Sequence, residues 1–172
     1  FGNGTDVYTH GILFFVNLTS PSHHNRMNHL FPDSLLIQEN STDKELIIPF
    51  VFKWSQHLQS YGVNGKSYNP HRLDRVLYLN QIEEWILVAP PEVKTAHPFH
   101  LHTNHFQIVR VEPPLPSHLQ HLLEPGSWRD TILIPVASNV TIRFLPRDFT
   151  GPSLAHCHVF VHEDLGMDFS FN

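Results

Sequence analysis

The chain reads as an all-β domain, and three observations point there. Short apolar, β-branched runs recur along its length; prolines, glycines and asparagines punctuate them; and helix-forming stretches are scarce. The spacing suits a sandwich or barrel with an N-terminal extension in front of it.

Taken in order, Ile12 to Leu18 is the most apolar early run, and it has the look of the last strand of a preceding domain. The polar stretch from Ser20 to Asp43 reads as a linker or wrapping arm, so residues 1–45 form an extension and residues 46–172 the β domain. Leu46 to Lys53 opens the domain as a strand, and the Asn64-Gly65 pair marks a turn. Strands are then expected at Arg75 to Leu79, whose last four residues are continuously apolar, and at Glu84 to Val88 and Phe106 to Val111. Ser117 to Glu124 suits a short helix that its flanking prolines would confine. Thr131 to Val136 and Val140 to Leu145 follow. Within the second, Val140-Thr141-Ile142-Arg143-Phe144 alternates as a half-buried strand should. Asp168 to Phe171 closes the set.

Composition narrows the function classes. At 172 residues and 41% hydrophobic content the chain can bury a proper core. A formal charge of -5 and the lack of any basic run argue against a nucleic-acid partner and against a membrane surface. No apolar segment approaches transmembrane length. The single cysteine excludes an intrachain disulfide. Asn3-Gly4-Thr5, Asn17-Leu18-Thr19, Asn40-Ser41-Thr42 and Asn139-Val140-Thr141 fit the N-glycosylation pattern, more often than chance provides, and point to a secreted, extracellular glycoprotein. With no signal peptide in view, the sequence is either mature or cut from something longer.

The chemistry concentrates in His156-Cys157-His158-Val159-Phe160-Val161-His162-Glu163-Asp164-Leu165-Gly166-Met167. A thiolate, imidazoles and a thioether are the soft and borderline donors that suit copper, and Cys-His-His with a weak axial Met is the ligand set of blue-copper electron transfer. The second equatorial histidine must come from elsewhere, and His97-Pro98-Phe99-His100-Leu101-His102 offers it. Zinc would accept the cysteine and histidines but has no use for a methionine at that spacing, and a lone cysteine can also be a small buried hydrophobe.

These two motifs, with Trp128-Arg129-Asp130-Thr131 between them, resemble the C-terminal cupredoxin domain of multicopper oxidases. Val63-Asn64-Gly65-Lys66-Ser67-Tyr68 followed by Glu83-Glu84-Trp85 is similar to the opening of that domain in the laccase and bilirubin-oxidase-like branch. The resemblance runs from about Leu46 to Met167. It implies a cupredoxin-like Greek-key β-barrel and oxidation of a reducing substrate coupled to reduction of dioxygen to water. Carried over by position, His97, Cys157 and His162 would hold a type 1 copper with Met167 axial. His100 would bind a type 2 copper, and His102, His156 and His158 a type 3 pair. On a strand, His100 and His102 share one face, as do His156 and His158, while Cys157 points the other way. Electrons would therefore pass from the cysteine sulfur through a flanking histidine.

Further residues carry weaker expectations. Glu163 matches an acidic residue thought to deliver protons in bacterial relatives, although it also reads as a surface acid beside Asp164. Asp130 is a candidate for orienting a histidine, or a strand-turn cap. His105 reads as packing or support for the site, while His118 and His121 sit in a proline-rich loop that either lines the donor entrance or is merely solvated. His10, His23, His24, His29, His57 and His71 read as surface residues.

A complete oxygen-reducing cluster in this family takes eight histidines from two facing domains, and the two H-x-H motifs here supply four. Three explanations compete. The chain is the C-terminal part of a three-domain oxidase completed by another cupredoxin domain or chain; or it is a stand-alone blue-copper electron-transfer protein without oxidase activity; or two copies pool their histidines across a two-fold homo-oligomer interface. Retention of four cluster histidines argues against the simple carrier. Met167 as a weak ligand implies a lower potential than Leu or Phe would give, which favours phenols, aromatic amines and bilirubin-like donors. Ferrous or cuprous ions remain open as donors, though with two methionines in the chain there is no Met-rich cuprous-binding insert.

Overall fold

The computed structural model describes Ile47–His57 and Ser60–Asn172; the expected strand at Ile12 to Leu18 and the arm from Ser20 to Asp43 lie outside the described residues. Ten strands form two sheets among the described residues. The first sheet contains β1 (Ile47–His57), β2 (Ser60–Val63), β3 (Ile82–Ala89), β5 (Phe106–Glu112), β6 (Trp128–Arg129) and β8 (Ser138–Phe144), in the order β2-β1-β3-β8-β5-β6. The second contains β4 (His97–Leu101), β7 (Thr131–Ile134), β9 (Ser153–Cys157) and β10 (Asp168–Phe171), in the order β10-β9-β4-β7. The chain crosses between the sheets at β3–β4, β4–β5, β6–β7, β7–β8 and β8–β9, which is how a two-layer sandwich closes around one core. The fold is all-β, as expected.

Long β1 serves two neighbours. Its first part runs parallel to β3, from Ile47↔Ile82 to Lys53↔Val88, and its last four residues pair antiparallel with β2. Side chains alternate through β3, so that Glu83, Trp85, Leu87 and Ala89 are buried while the residues between them are half-buried. Trp85 sits at the middle of an aromatic cluster, with ring centroids 5.1 Å from Phe50, 5.1 Å from Phe144 and 5.7 Å from Phe52 and Phe169. Edge-to-face, tilted and stacked contacts of this kind add to the burial of the rings themselves. Fully buried Glu83 is matched by the Arg75 guanidinium at 2.7 Å and the Trp85 indole N–H at 2.9 Å, as a charge out of water must be.

The predicted short helix is a 3-10 helix over Ser117–Leu123. Arg75 to Leu79 is not a strand. Arg75 makes one isolated bridge to Phe171, and Leu77 N–H donates to the Asn172 carbonyl at 2.7 Å. Val76, Tyr78 and Leu79 are exposed, so the run borders the end of β10 without joining its ladder. Strands β2, β4 and β9 fall outside the apolar runs read from the sequence, because glycine, serine and histidine occupy positions where β-branched residues would give a signal. A five-residue helix, α1 (Phe160–Asp164), interrupts the path from β9 to β10 and was not anticipated.

Candidate metal centre

Pairing of β4 with β9 builds the site. Phe99 lies opposite Cys157 and His100 opposite His156, so the two motifs meet with matched faces. The burial pattern of β4 places His97, Phe99 and Leu101 on the core side and His100 on the other. On β9, Ala155 and Cys157 face the core, and exposed His158 continues the outer row of His156. His102 lies just past β4, where Thr103 turns the chain with a φ of 65° and its hydroxyl donates to the His102 carbonyl at 2.7 Å.

On the core side three donors converge. His97 Nδ1 is 3.3 Å from Cys157 Sγ, His162 Nδ1 is 3.7 Å from the same sulfur, and the two Nδ1 atoms are 3.2 Å apart. A first-row cation held at about 2.0–2.3 Å by three coplanar donors keeps them about 3.5–3.8 Å apart; one edge of this triangle has that length and the other two are a few tenths of an ångström shorter, so a small outward movement of the rings would admit one ion. His162 reaches it from α1. Met167 is fully buried, and its backbone ties the 157–167 segment together: its N–H donates to the His162 carbonyl at 2.9 Å and its carbonyl accepts from Cys157 N–H at 3.1 Å.

The outer side gathers four histidines. His100, His102 and His156 bring ring nitrogens within 4.8 Å of one another, with His102 Nε2 2.9 Å from His156 Nε2. The His158 ring lies 5.3 Å from that of His156 and 5.5 Å from that of His100. His100 Nδ1 donates to the Asp130 carbonyl at 3.0 Å, with Thr131 Oγ1 at 2.8 Å, and His156 Nδ1 donates to the Cys157 carbonyl at 3.1 Å. A carbonyl only accepts, so both rings carry their proton on Nδ1 and present Nε2 as a lone pair. Asp130 therefore orients His100 through its main chain rather than its carboxylate.

Burial sets the protonation states. Desolvation, then the neighbouring His162, pulls His97 down to about 4. Desolvation likewise lowers His100, His102 and His162. These imidazoles are neutral at neutral pH and available to a metal. Burial pushes the Cys157 thiol up to about 11, so a metal must displace its proton. Glu163 borders the outer cluster, with Oε2 3.5 Å from His156 Nδ1, and its carboxylate, that of Asp168 and the His156 ring bring donor atoms within 4.8 Å of one another; burial raises Asp168 to about 6. His71, His105, His118 and His121 are exposed, and none belongs to a donor group among the described residues.

Three contacts had no signature in the sequence. Tyr61 stacks on His162 with ring centroids 4.3 Å apart, Trp54 lies 5.6 Å from the His97 ring, and Thr95 Oγ1 is 3.4 Å from His97 Nε2.

Residues 32–172 match the family model described as multicopper oxidase. The chain belongs to the multicopper oxidase family. Copper is the metal that family uses, and the donor set fits it. Among similar proteins, a multicopper oxidase of Staphylococcus aureus is 29% identical over 107 residues, covering 61% of this chain and 23% of the relative. An iron multicopper oxidase of Mycosarcoma maydis is 32% identical over 126 residues, covering 67% of this chain and 19% of the relative. The solved laccase of Pediococcus acidilactici matches at 25% identity and a TM-score of 0.64, over 79% of this chain and 27% of that one. A metallo-oxidase of Campylobacter jejuni shares the fold at 23% identity and a TM-score of 0.59, over 83% of this chain and 32% of that one. The cupredoxin-like expectation holds, and the chain spans about a fifth to a quarter of the curated relatives it matches.

Proposed function

We propose that this chain is the copper-bearing C-terminal domain of a laccase-like oxidase, taking electrons one at a time from a small aromatic or metal-ion donor. In this reading His97, Cys157 and His162, together with Met167, would hold a type 1 copper. His100 belongs to the type 2 site, and His102, His156 and His158 to the type 3 pair. The observation that carries the reading is the back-to-back arrangement on β9: the Cys157 sulfur closes the core-side triangle, while the rings of His156 and His158 sit among the histidines of the opposite face.

Copper, when bound, supplies one-electron redox chemistry at the first site and electrons for dioxygen at the second. The protein residues supply everything else. His162, half-buried on a surface helix, offers the edge through which a donor couples to the site, whereas His97 is sealed in the core. The Cys157 main chain continues directly to both outer histidines, and the hydrogen bond from His156 Nδ1 to the Cys157 carbonyl adds a second short link. Glu163, a third exposed and 3.5 Å from His156 Nδ1, is assigned to proton delivery from solvent.

Four outer histidines make half of the family's oxygen-reducing cluster, so completion needs another cupredoxin domain or a second chain. The four glycosylation patterns support a secreted protein; of these, Asn139 sits half-buried on β8, and the other three lie outside the described residues. The test is oxygen consumption on a phenolic donor, with copper content and solution mass from the same sample. Turnover with a full cluster supports the oxidase. One copper per monomer, a blue band and no oxygen consumption would instead identify an electron-transfer protein.

A further inference from the structure

We infer that Tyr61 is a positioning residue for His162, fixing its ring and raising the reduction potential of the bound copper. This rests on the reading of His162 as a copper ligand.

Helix α1 does little by itself to hold His162. It is five residues long, has no side-chain cap hydrogen bond and buries none of its residues. What meets the imidazole from outside is the Tyr61 ring, nearly parallel at 18° and 4.3 Å away. His97 and Cys157 hold the Nδ1 edge, and the phenol covers one face of the ring. The Tyr61 hydroxyl is within reach of the Gln56 side-chain amide at 3.4 Å, which ties it to β1.

The backbone around it acts as a clamp. Tyr61 N–H donates to the Leu165 carbonyl at 3.4 Å, and Tyr68 N–H to the Gly166 carbonyl at 3.0 Å. The Ser67 hydroxyl donates to the Tyr61 carbonyl at 2.8 Å, closing the hairpin on itself. Gly166 has a φ of +102°, and a Cβ there would lie 3.0 Å from Ser67 Cβ and 3.2 Å from the Tyr61 oxygen. The ligand segment is therefore zipped to the β2 hairpin at Tyr61, His162's ring partner, and again at Tyr68.

Two consequences follow from the chemistry. A stacked aromatic restricts the imidazole plane, which slows loss of the metal. It also excludes water from one face of a ligand on the solvent side. Lower local polarity disfavours the more highly charged oxidised site, so the potential rises.

The test compares Tyr61→Phe, which keeps the stack, with Tyr61→Leu, which removes it, in the full chain carrying its copper. Tyr61→Phe should retain the wild-type potential. Tyr61→Leu should show a lower potential and release copper to a chelator roughly twofold to tenfold faster. In the metal-free protein, the upfield ring-current shift of the His162 ring protons should disappear in Tyr61→Leu and persist in Tyr61→Phe. If Tyr61→Leu does not fold, Tyr61→Met fills the same gap with an unbranched chain and carries the same comparison. A wild-type potential and release rate in the non-aromatic variant would overturn the inference while leaving His162 a ligand. Absence of a blue band in the wild type would overturn the ligand reading itself.

Discussion

His97 Nδ1 and His162 Nδ1 face each other across 3.2 Å although 65 residues separate them in the chain. One ring is sealed in the core at the start of β4 and the other rides a surface helix, so the pair joins the interior to the surface. Cys157 closes the triangle, and the four remaining motif histidines lie behind it on the outer face of the same sheet.

Separate variants should separate the two faces. Cys157→Ser keeps the size of the buried side chain and should abolish the intense visible band with the fold intact by far-UV circular dichroism. His100→Ala with His102→Ala should keep the band and remove oxygen consumption. Unchanged turnover in the double variant would contradict the outer-face assignment.

Copper uptake should follow the thiol. With Cys157 raised to about 11, one proton leaves the sulfur for each copper bound at neutral pH. Copper affinity of the metal-free protein should then rise about tenfold per pH unit between about pH 7 and 8. His97 and His162, held neutral by burial, add nothing to that slope. A flat profile in a competition titration would mean that the sulfur is not a ligand.

Acid should weaken the metal-free domain through His97. Its folded value of about 4 lies below the ordinary 6.5, so the unfolded chain binds a proton more readily, and stability falls as pH drops from 6.5 towards 4. Asp168 works the other way, since its folded value of about 6 exceeds 3.8 and its contribution improves as pH falls through the same range. Asp168→Asn should therefore steepen the loss of stability on acidification, measured by denaturant unfolding at several pH values. The opposite change would show that its carboxyl is not held protonated by burial.

Much of the site was legible in the sequence because donor chemistry is local. His156, Cys157, His158, His162 and Met167 sit within twelve residues, and strand alternation alone separates Cys157 from its flanking histidines. The register that sets Phe99 against Cys157 is not local, and nothing in either motif states it. Tyr61 was invisible for a related reason: β2 has no apolar run, and its contact with His162 depends on a hairpin meeting a short helix about a hundred residues away. Arg75 to Leu79 misled because continuous apolar character is compatible with a strand, whereas here the residues lie on the surface beside β10.

Gly166→Ala tests the clamp on the ligand segment. Positive φ and the 3.0 Å approach of Ser67 both oppose a side chain there. The cost should be about 1–3 kcal/mol in denaturant unfolding, with faster copper loss. A neutral outcome would mean that the loop relaxes freely.

Met167→Leu preserves volume in a fully buried position and should cost less than about 1.5 kcal/mol. Its reduction potential should rise, since in the proposed function a weak thioether ligand is exchanged for none. An unchanged potential would show that the methionine is not axial.

Whether Cys157 holds a type 1 copper is decided by copper content together with the visible spectrum of the wild-type chain, set beside Cys157→Ser. A tightly held copper with an intense band that disappears with the sulfur is expected. Copper bound without that band, or a band that survives in Cys157→Ser, would contradict the assignment.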